Sequence, residues 1–383
     1  MSSAPVQPHQ RIQYLDVVRG FAITGVLIAY VFWNLGTEPE STYTSFETSL
    51  DKALSFLIDS KCFTLLANLF TVGFVLHMNK ADNKARSLYT YRRRLAGLMI
   101  IGLVHALLLR NGDILLPYAL LTMLVSFFYA APDRTIIIAM VVTFFLQVLV
   151  PEIWKGLQIP IPQRPVTNVN YWADNFEWVK FWYASALFYW ETTLFFLWSG
   201  LLLGRVFIQH KKKLSMNQLL VIAVIGLLSG SASYWILGAY TNEISALPDI
   251  GHTQIVRRTI NNLLWDIHRA GLASAYAVLF YLLLKGFALN ALAALGRTSL
   301  TNYIVQAVIV VPVCLLFNLF DHITPVIALI MTASTWIVQV VFSIWWLKHY
   351  PFGPLEWLLR RFTYGKKAYS KSIENEVLVA ETR

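Results

Sequence analysis

Arg92-Arg93-Arg94-Leu95-Ala96-Gly97-Leu98-Met99-Ile100-Ile101-Gly102-Leu103-Val104-His105-Ala106-Leu107-Leu108-Leu109-Arg110-Asn111-Gly112-Asp113-Ile114-Leu115-Leu116-Pro117-Tyr118 decides how the rest of the chain is read. A basic cluster opens it, an apolar run carries one histidine, Asn-Gly-Asp turns the chain, and apolar sequence resumes. In water this run would expose a long apolar surface. In a bilayer it reads as an arginine-anchored helix, a tight outer turn and a return helix. His105 then lies inside the membrane, where an ionisable group is costly and by default a functional candidate.

Composition extends that reading to the whole chain. Apolar residues make up 57% of 383 positions and charged residues 14%, against about 25% charged in ordinary soluble domains. With a mean hydropathy of +0.55, this composition is that of an integral membrane protein. Thirteen Trp and 18 Tyr fit aromatic belts at the two interfaces. The net charge of +10 sits in short loops between apolar runs, so topology explains it without a nucleic-acid partner. Cys62 and Cys314 fall at the start of one apolar run and inside another, which excludes a disulfide framework and a cysteine zinc site. A mostly polar stretch precedes the first apolar run and no small-residue cleavage site follows it, so a permanent anchor is expected rather than a signal peptide.

A membrane helix needs about 20 mainly apolar residues. Ten runs qualify: 17–35, 62–79, 95–110, 114–130, 134–151, 184–206, 218–239, 269–287, 299–319 and 324–347. With the N-terminus inside, Lys and Arg concentrate in alternate segments, notably 80–94, 205–213 and 348–383. The expectation is an all-α polytopic membrane protein of about ten transmembrane helices, both termini cytoplasmic. Residues 17–347 form its bundle, between cytoplasmic segments 1–16 and 348–383. Of the two long outer loops, 36–61 is acidic and suits a short surface helix from about Thr48. The other, 152–183, ends in Tyr171, Trp172, Phe176, Trp178, Phe181, Trp182 and Tyr183. That aromatic half reads either as a helix lying in the outer interface or as a folded cap over the bundle. Residues 1–183 and 184–383 do not align by motif, so no internal repeat is read.

Three pieces of the chain resemble the YeiB-type family of bacterial multi-spanning membrane proteins. The first is Arg11-Ile-Gln-Tyr-Leu-Asp16-Val-Val-Arg19-Gly20-Phe21-Ala22. The second is the opening hairpin from His105 through Gly112-Asp113 to Tyr118-Ala119. The third comprises Gly296-Arg297-Thr298-Ser299-Leu300-Thr301-Asn302-Tyr303 and Phe352-Gly353-Pro354-Leu355-Glu356-Trp357-Leu358-Leu359-Arg360. The resemblance implies a bacterial inner-membrane location and leaves the function open, because the family's domain is itself of unknown function. More distantly, the Leu-Asp-x-x-Arg-Gly start is similar to that of transmembrane acyltransferases, including heparan-glucosaminide acetyltransferase and the bacterial O-acyltransferases. Those enzymes move an acyl group from cytoplasmic acyl-coenzyme A to a sugar hydroxyl or amine across the membrane. This chain departs from both at the histidine. Tyr30 stands where the O-acyltransferases place one near the end of helix one, and Ser60-Lys61-Cys62 stands where the acetyltransferase has one before helix two.

The candidate catalytic residues are His105, Glu191 and Asp113. His105 lies about 15 Å above Leu95 by helix rise, and Gly102, His105 and Ala106 share a face that a neighbouring helix can approach. It reads as a buried imidazole bonded to another helix, or as a general base for a hydroxyl or amine. Asp113 reads as the N-cap of the return helix, with Pro117 tolerated in its first turn. It could orient His105 only if the hairpin folds the carboxylate inward. Glu191 lies roughly 10 Å inside the outer end of its span by rise, level with His105, and reads as an orienting carboxylate, a proton relay or an ion-pair partner of Arg110 or Arg269. Asp266, His268 and Arg269 read as interfacial.

On the inner side Asp16 and Arg19 can pair at i, i+3, and His77 has no evident partner. Ser299, Asn302 and Gln306 form a polar stripe that either bonds neighbouring helices or lines a passage toward His105. Arg19, Arg94, Arg297, Asn302 and Gln306 are the candidate ligand-binding set. With Arg92, Arg93, Arg360 and Arg361, the arginines would contact the phosphates of acyl-coenzyme A, the co-substrate that the distant resemblance implies. No bound cofactor is expected, and no phosphate-binding glycine loop or metal-ligand cluster is present in the sequence.

The preferred expectation is an acyltransferase acting on an envelope glycan or small molecule, with His105 as base and Glu191 or Asp113 as its orienter. A proton-coupled transporter or exporter using the same groups as a relay is the alternative, and a non-catalytic envelope scaffold remains open. Expected partners are membrane lipids and the substrate, with no nucleic acid; the sequence does not set the oligomeric state.

Overall fold

A computed structural model describes residues 12–33, 35, 38–79, 82–109, 112–158, 171–184, 190–245 and 252–365. The expectations for residues 1–11 and 366–383, and for Arg110 as a partner of Glu191, lie outside the described residues. Fourteen α-helices run through the described part: α1 (Gln13–Trp33), α2 (Ser45–Leu57), α3 (Lys61–Asn79), α4 (Lys84–Leu108), α5 (Leu115–Ser126), α6 (Asp133–Gly156), α7 (Tyr171–Ala184), α8 (Glu191–Gly204), α9 (Met216–Ser245), α10 (His252–Leu283), α11 (Asn290–Arg297), α12 (Ser299–Phe317), α13 (Pro325–His349) and α14 (Pro354–Tyr364). Among the described residues, seven helical stretches are long and apolar enough to cross a membrane. The chain is a multi-pass, all-helical membrane protein.

Each of the ten expected spans overlaps a helix, 184–206 from Glu191 onward. α5 is short at 12 residues, and α4 and α10 carry charge along much of their length. α4 begins at Lys84, so Arg92 to Arg94 lie within a helix instead of in a loop before it. α10 begins at His252, well upstream of the expected start. Asp266 and His268, read as interfacial, are therefore mid-helix and buried, at 6% and 0% exposure. α2 supplies the expected surface helix, opened by a reciprocal cap in which Thr44 and Glu47 exchange side-chain and backbone bonds. α7 is the aromatic helix of the second long loop. Its Asn175 Nδ2 donates to the Ala106 carbonyl at 2.9 Å, and the Tyr171 hydroxyl donates to the Leu109 carbonyl. A helix thus caps the C-terminal end of α4.

α1 is the central helix, packed against α3, α10, α11, α12 and α13. Its contact with α11 is backbone on backbone: a methyl built on Gly20 would overlap the Leu292 carbonyl, and one on Gly296 would overlap the Asp16 carbonyl. Two glycines from opposite ends of the sequence therefore bring Asp16-Val-Val-Arg19-Gly20 and Gly296-Arg297 together. Arg205, expected to mark topology, is 5% exposed. It donates to the Ala131 and Tyr129 carbonyls at 2.7 and 2.6 Å and pairs with Asp133 at 2.6 Å, tying α8 to the turn that precedes α6.

Candidate functional site

The hairpin between α4 and α5 folds Asp113 inward. Gly102 allows this, because a methyl there would lie 2.8 Å from Asp113 Oδ2 and 2.6 Å from the Leu116 nitrogen. The N-cap position of α5 is Ile114, one residue later than expected, but Asp113 Oδ2 accepts the Leu116 N–H at 2.7 Å and so still caps the start of the helix. Oδ1 lies 3.1 Å from His105 Nδ1, in contact though not in line for a hydrogen bond. The Tyr303 hydroxyl from α12 donates to the same Oδ1 at 2.9 Å and accepts the Ile114 N–H at 2.9 Å. The rings of Tyr303 and His105 lie 4.9 Å apart. His105 is 4% exposed and Asp113 8%, and His105 Nε2 has no hydrogen-bond partner among the described residues.

A carboxylate only accepts, so an aspartate facing Nδ1 favours the imidazole tautomer with its proton there and a lone pair on Nε2. That is the form a base needs. Asp113 is therefore a cap through one oxygen and the neighbour of His105 and Tyr303 through the other. Replacing Tyr303 by phenylalanine keeps the ring against His105 and strips the Ile114 N–H and Asp113 Oδ1 of a partner each. We expect a stability loss of about 1–3 kcal/mol, read as a lower thermal transition in detergent; an unchanged transition would count against the hydroxyl's bridging role.

Below this cluster, toward the end expected to face the cytoplasm, lies a cavity of about 270 Å³. Ile114, Leu115, Tyr118 and Tyr303 border it from the cluster side; Leu15, Ile23, Leu66, Leu69 and Leu98 are among its apolar walls. Arg19, Arg94, Arg297 and Arg360 are its basic lining, with Asp16, His77 and Glu356 the acids and histidine among them. Arg19 pairs with Asp16 at 3.3 Å, as their spacing implied. His77, which lacked a partner in the sequence, has Nε2 3.3 Å from the Ser87 carbonyl.

The structure thus brings His105 to Asp113 and gathers Arg19, Arg94 and Arg297 around one cavity. Asn302 and Gln306 stand away from its wall. Asn302 is fully buried and its side-chain amide donates to Thr298 Oγ1 and Ser343 Oγ at 3.0 Å each, while its backbone carbonyl accepts from Gln339. The stripe on α12 is really two. Ser299 and Tyr303, four apart, face the cavity; Asn302 turns toward α13, and Gln306 is buried with Oε1 unpartnered among the described residues. Tyr303 was quoted in the sequence motif without a role; its i+4 relation to Ser299 was the signal.

Glu191 opens α8 instead of lying roughly 10 Å inside it, so its carboxylate sits at the favourable end of a helix dipole. It is 9% exposed with Oε1 unpartnered, and among the described residues no hydrogen bond or ion pair joins it to His105. Arg269, its other expected partner, pairs with Asp266 at 3.2 Å.

A family profile described as "Protein of unknown function (DUF418)" matches residues 203–366. The chain is 25% identical to the uncharacterized protein YxaH of Bacillus subtilis (strain 168), over 95% of this chain and 96% of that protein. It is 26% identical to the uncharacterized protein YeiB of Escherichia coli (strain K12), over 91% and 95%. The YeiB-type resemblance is borne out. An uncharacterized 39.9 kDa protein from the amylase 3′ region of Bacillus acidopullulyticus is 25% identical over 95% of this chain and 96% of its own length. The similarity to these three relatives runs nearly end to end, and their names state no activity.

Proposed function

We propose that this YeiB-like protein is a membrane acyltransferase of the bacterial cytoplasmic membrane, with ten spans and both termini inside. The alternation of basic segments supports that topology. The phosphates of acyl-coenzyme A rest among Arg19, Arg94, Arg297 and Arg360, and the acyl end lies between the apolar walls beneath Tyr303. The single observation that carries this reading is continuity: Tyr303 lines the cavity and bonds through its hydroxyl to Asp113, which touches His105. A turn of the Tyr303 ring would open the cavity toward His105. His105 Nε2 then takes the proton of an acceptor hydroxyl or amine, whose oxygen or nitrogen attacks the thioester carbonyl. The carbon–sulfur bond breaks, and coenzyme A leaves as the thiol after taking up that proton. Tyr30, where O-acyltransferases place a histidine, packs in one buried cluster with Ala307, Val310 and Val311 of α12, the helix that carries Tyr303. Imidazole supplied from α4 therefore serves the region that helix one serves in those enzymes.

One observation favours proton-coupled transport as the second reading: a hydrogen bond from Tyr303, which lines the cavity, links it to Asp113 beside His105, as in a proton relay. Purified protein in proteoliposomes separates the two. Thiol release from acetyl-coenzyme A with envelope glycan as acceptor should fall 10²–10⁴-fold in His105→Ala, about the worth of a general base. Unchanged release in the variant would sink the catalytic role of His105, and substrate flux without thioester consumption would decide for transport.

A further inference from the structure

Of the Phe352-to-Arg360 motif the chemistry above uses only Arg360, yet the motif also places an acid in the same arginine-lined cavity. Glu356, on the first turn of α14, makes no ion pair with any of them among the described residues. Its carboxylate instead accepts the N–H groups of Leu300 and Thr301 at 2.7 and 3.2 Å and the Thr301 hydroxyl at 2.6 Å. Those donors are the first turn of α12, a 19-residue helix, whose free N–H groups and dipole favour an anion. The protein's own carboxylate therefore occupies the anion-attracting end of a helix inside the cavity where Arg19, Arg94 and Arg297 converge.

We propose that Glu356 is the tethered occupant of a phosphate subsite, displaced when a phosphate-bearing ligand fills the cavity, so that α14 acts as a ligand-released latch. The inference rests on the reading of the cavity as an anion site, and it adds the subsite and its control. Three features fit a seat built for release. Gly353 leaves room for the carboxylate, since a methyl there would overlap Glu356 Oε2. Enclosure by protein pushes the Glu356 carboxyl above its usual range despite the hydrogen bonds that pull it down, so the seat holds the carboxylate less firmly than those bonds alone would. Arg297 lines the same cavity, and its buried Nε has no partner among the described residues.

A permanent staple predicts the opposite sign from a latch, so the test is decisive. Coenzyme A binding to the full-length protein in detergent is measured by calorimetry for wild type, Glu356→Gln and Gly353→Ala. The latch predicts about tenfold tighter binding in both variants, because each removes or dislodges the competing carboxylate. It also predicts faster amide exchange in α14 of the wild type when coenzyme A is added, a readout that does not depend on either variant folding. Folded variants that bind no tighter, or α14 exchange that is unchanged or slowed, would overturn the latch. If coenzyme A does not bind while inorganic pyrophosphate does and shows the same tightening, the latch stands and the acyl-coenzyme A reading falls. If neither probe binds the wild type, both fall.

Discussion

Alanine at Gly296 is expected to cost the protein about 3 kcal/mol or more, the upper end of what overpacking inflicts. The reason is the kind of atom that the new methyl meets. It overlaps the carbonyl of Asp16 and comes within 2.9 Å of the Gly20 nitrogen. No side-chain rotamer can relieve a clash with backbone, so α11 must move away from α1 or one of the two must bend. Gly20→Ala attacks the same contact from the other side, and the two changes should fall well short of additive because either one alone separates the helices. Against net stabilities of about 5–15 kcal/mol, the loss should appear as a large drop in thermal transition and in monodisperse yield. Arg19 and Arg297 flank this contact, so any folded fraction should also bind anionic ligands poorly. Gly238 is the control. It lies inside α9 with nothing within 4 Å of an added methyl, and alanine there should be neutral or stabilising by up to about 1 kcal/mol. A transition for Gly296→Ala that matches that of Gly238→Ala would refute the backbone contact.

These glycines also mark the limit of what the sequence makes legible. Apolar runs are local facts, so every expected span falls on a helix. Where charge is mixed in, packing sets the ends. α10 begins upstream at His252, through Arg257 and Arg258, because α9 and α6 hold it; Gln147 of α6 donates to Asp266 at 3.0 Å. No hydropathy window could find that start. The eight-residue α11 is too short to read as a span, and its purpose is visible only beside Gly20. The site follows the same rule. His105, Asp113 and the arginines were legible because ionisable groups stand out in apolar sequence. Tyr303 and Glu356 were hidden, the first as one aromatic residue among many, the second in a tail whose fold-back onto α12 has no local signature. Glu191 stood out equally, yet α8 begins at that residue, later than the expected start of its span at residue 184.

Asp113 allows the cap and the chemistry to be separated. Asp113→Ala should be severe on both counts. It strips acceptors from the Leu116 N–H and the Tyr303 hydroxyl and removes the carboxylate beside His105 Nδ1. A buried group left unsatisfied costs about 1–3 kcal/mol, so the summed loss should be several kcal/mol, or a failure to fold. Asp113→Asn is the informative change. Its carbonyl oxygen can accept the Leu116 N–H, so α5 keeps its cap and most of the stability should remain. Its amide then turns toward His105 and Tyr303, and a donor facing Nδ1 favours the tautomer with the proton on Nε2. The base would lose its lone pair without moving. The same inversion in a triad of this kind lowers turnover by about 10⁴-fold, and a drop of about 10³-fold or more in acyl transfer is expected here, with a thermal transition near that of wild type. If Asp113→Asn stayed both stable and active, Asp113 would be a helix cap alone and His105 would have to act without it. If it lost stability and activity in proportion, the carboxylate charge would be needed to hold the hairpin, and the orienting role would have no independent support. Only activity lost with the fold retained assigns Asp113 to the chemistry, and it would do so whether the proton leaving His105 belongs to an acyl acceptor or to a transported ion.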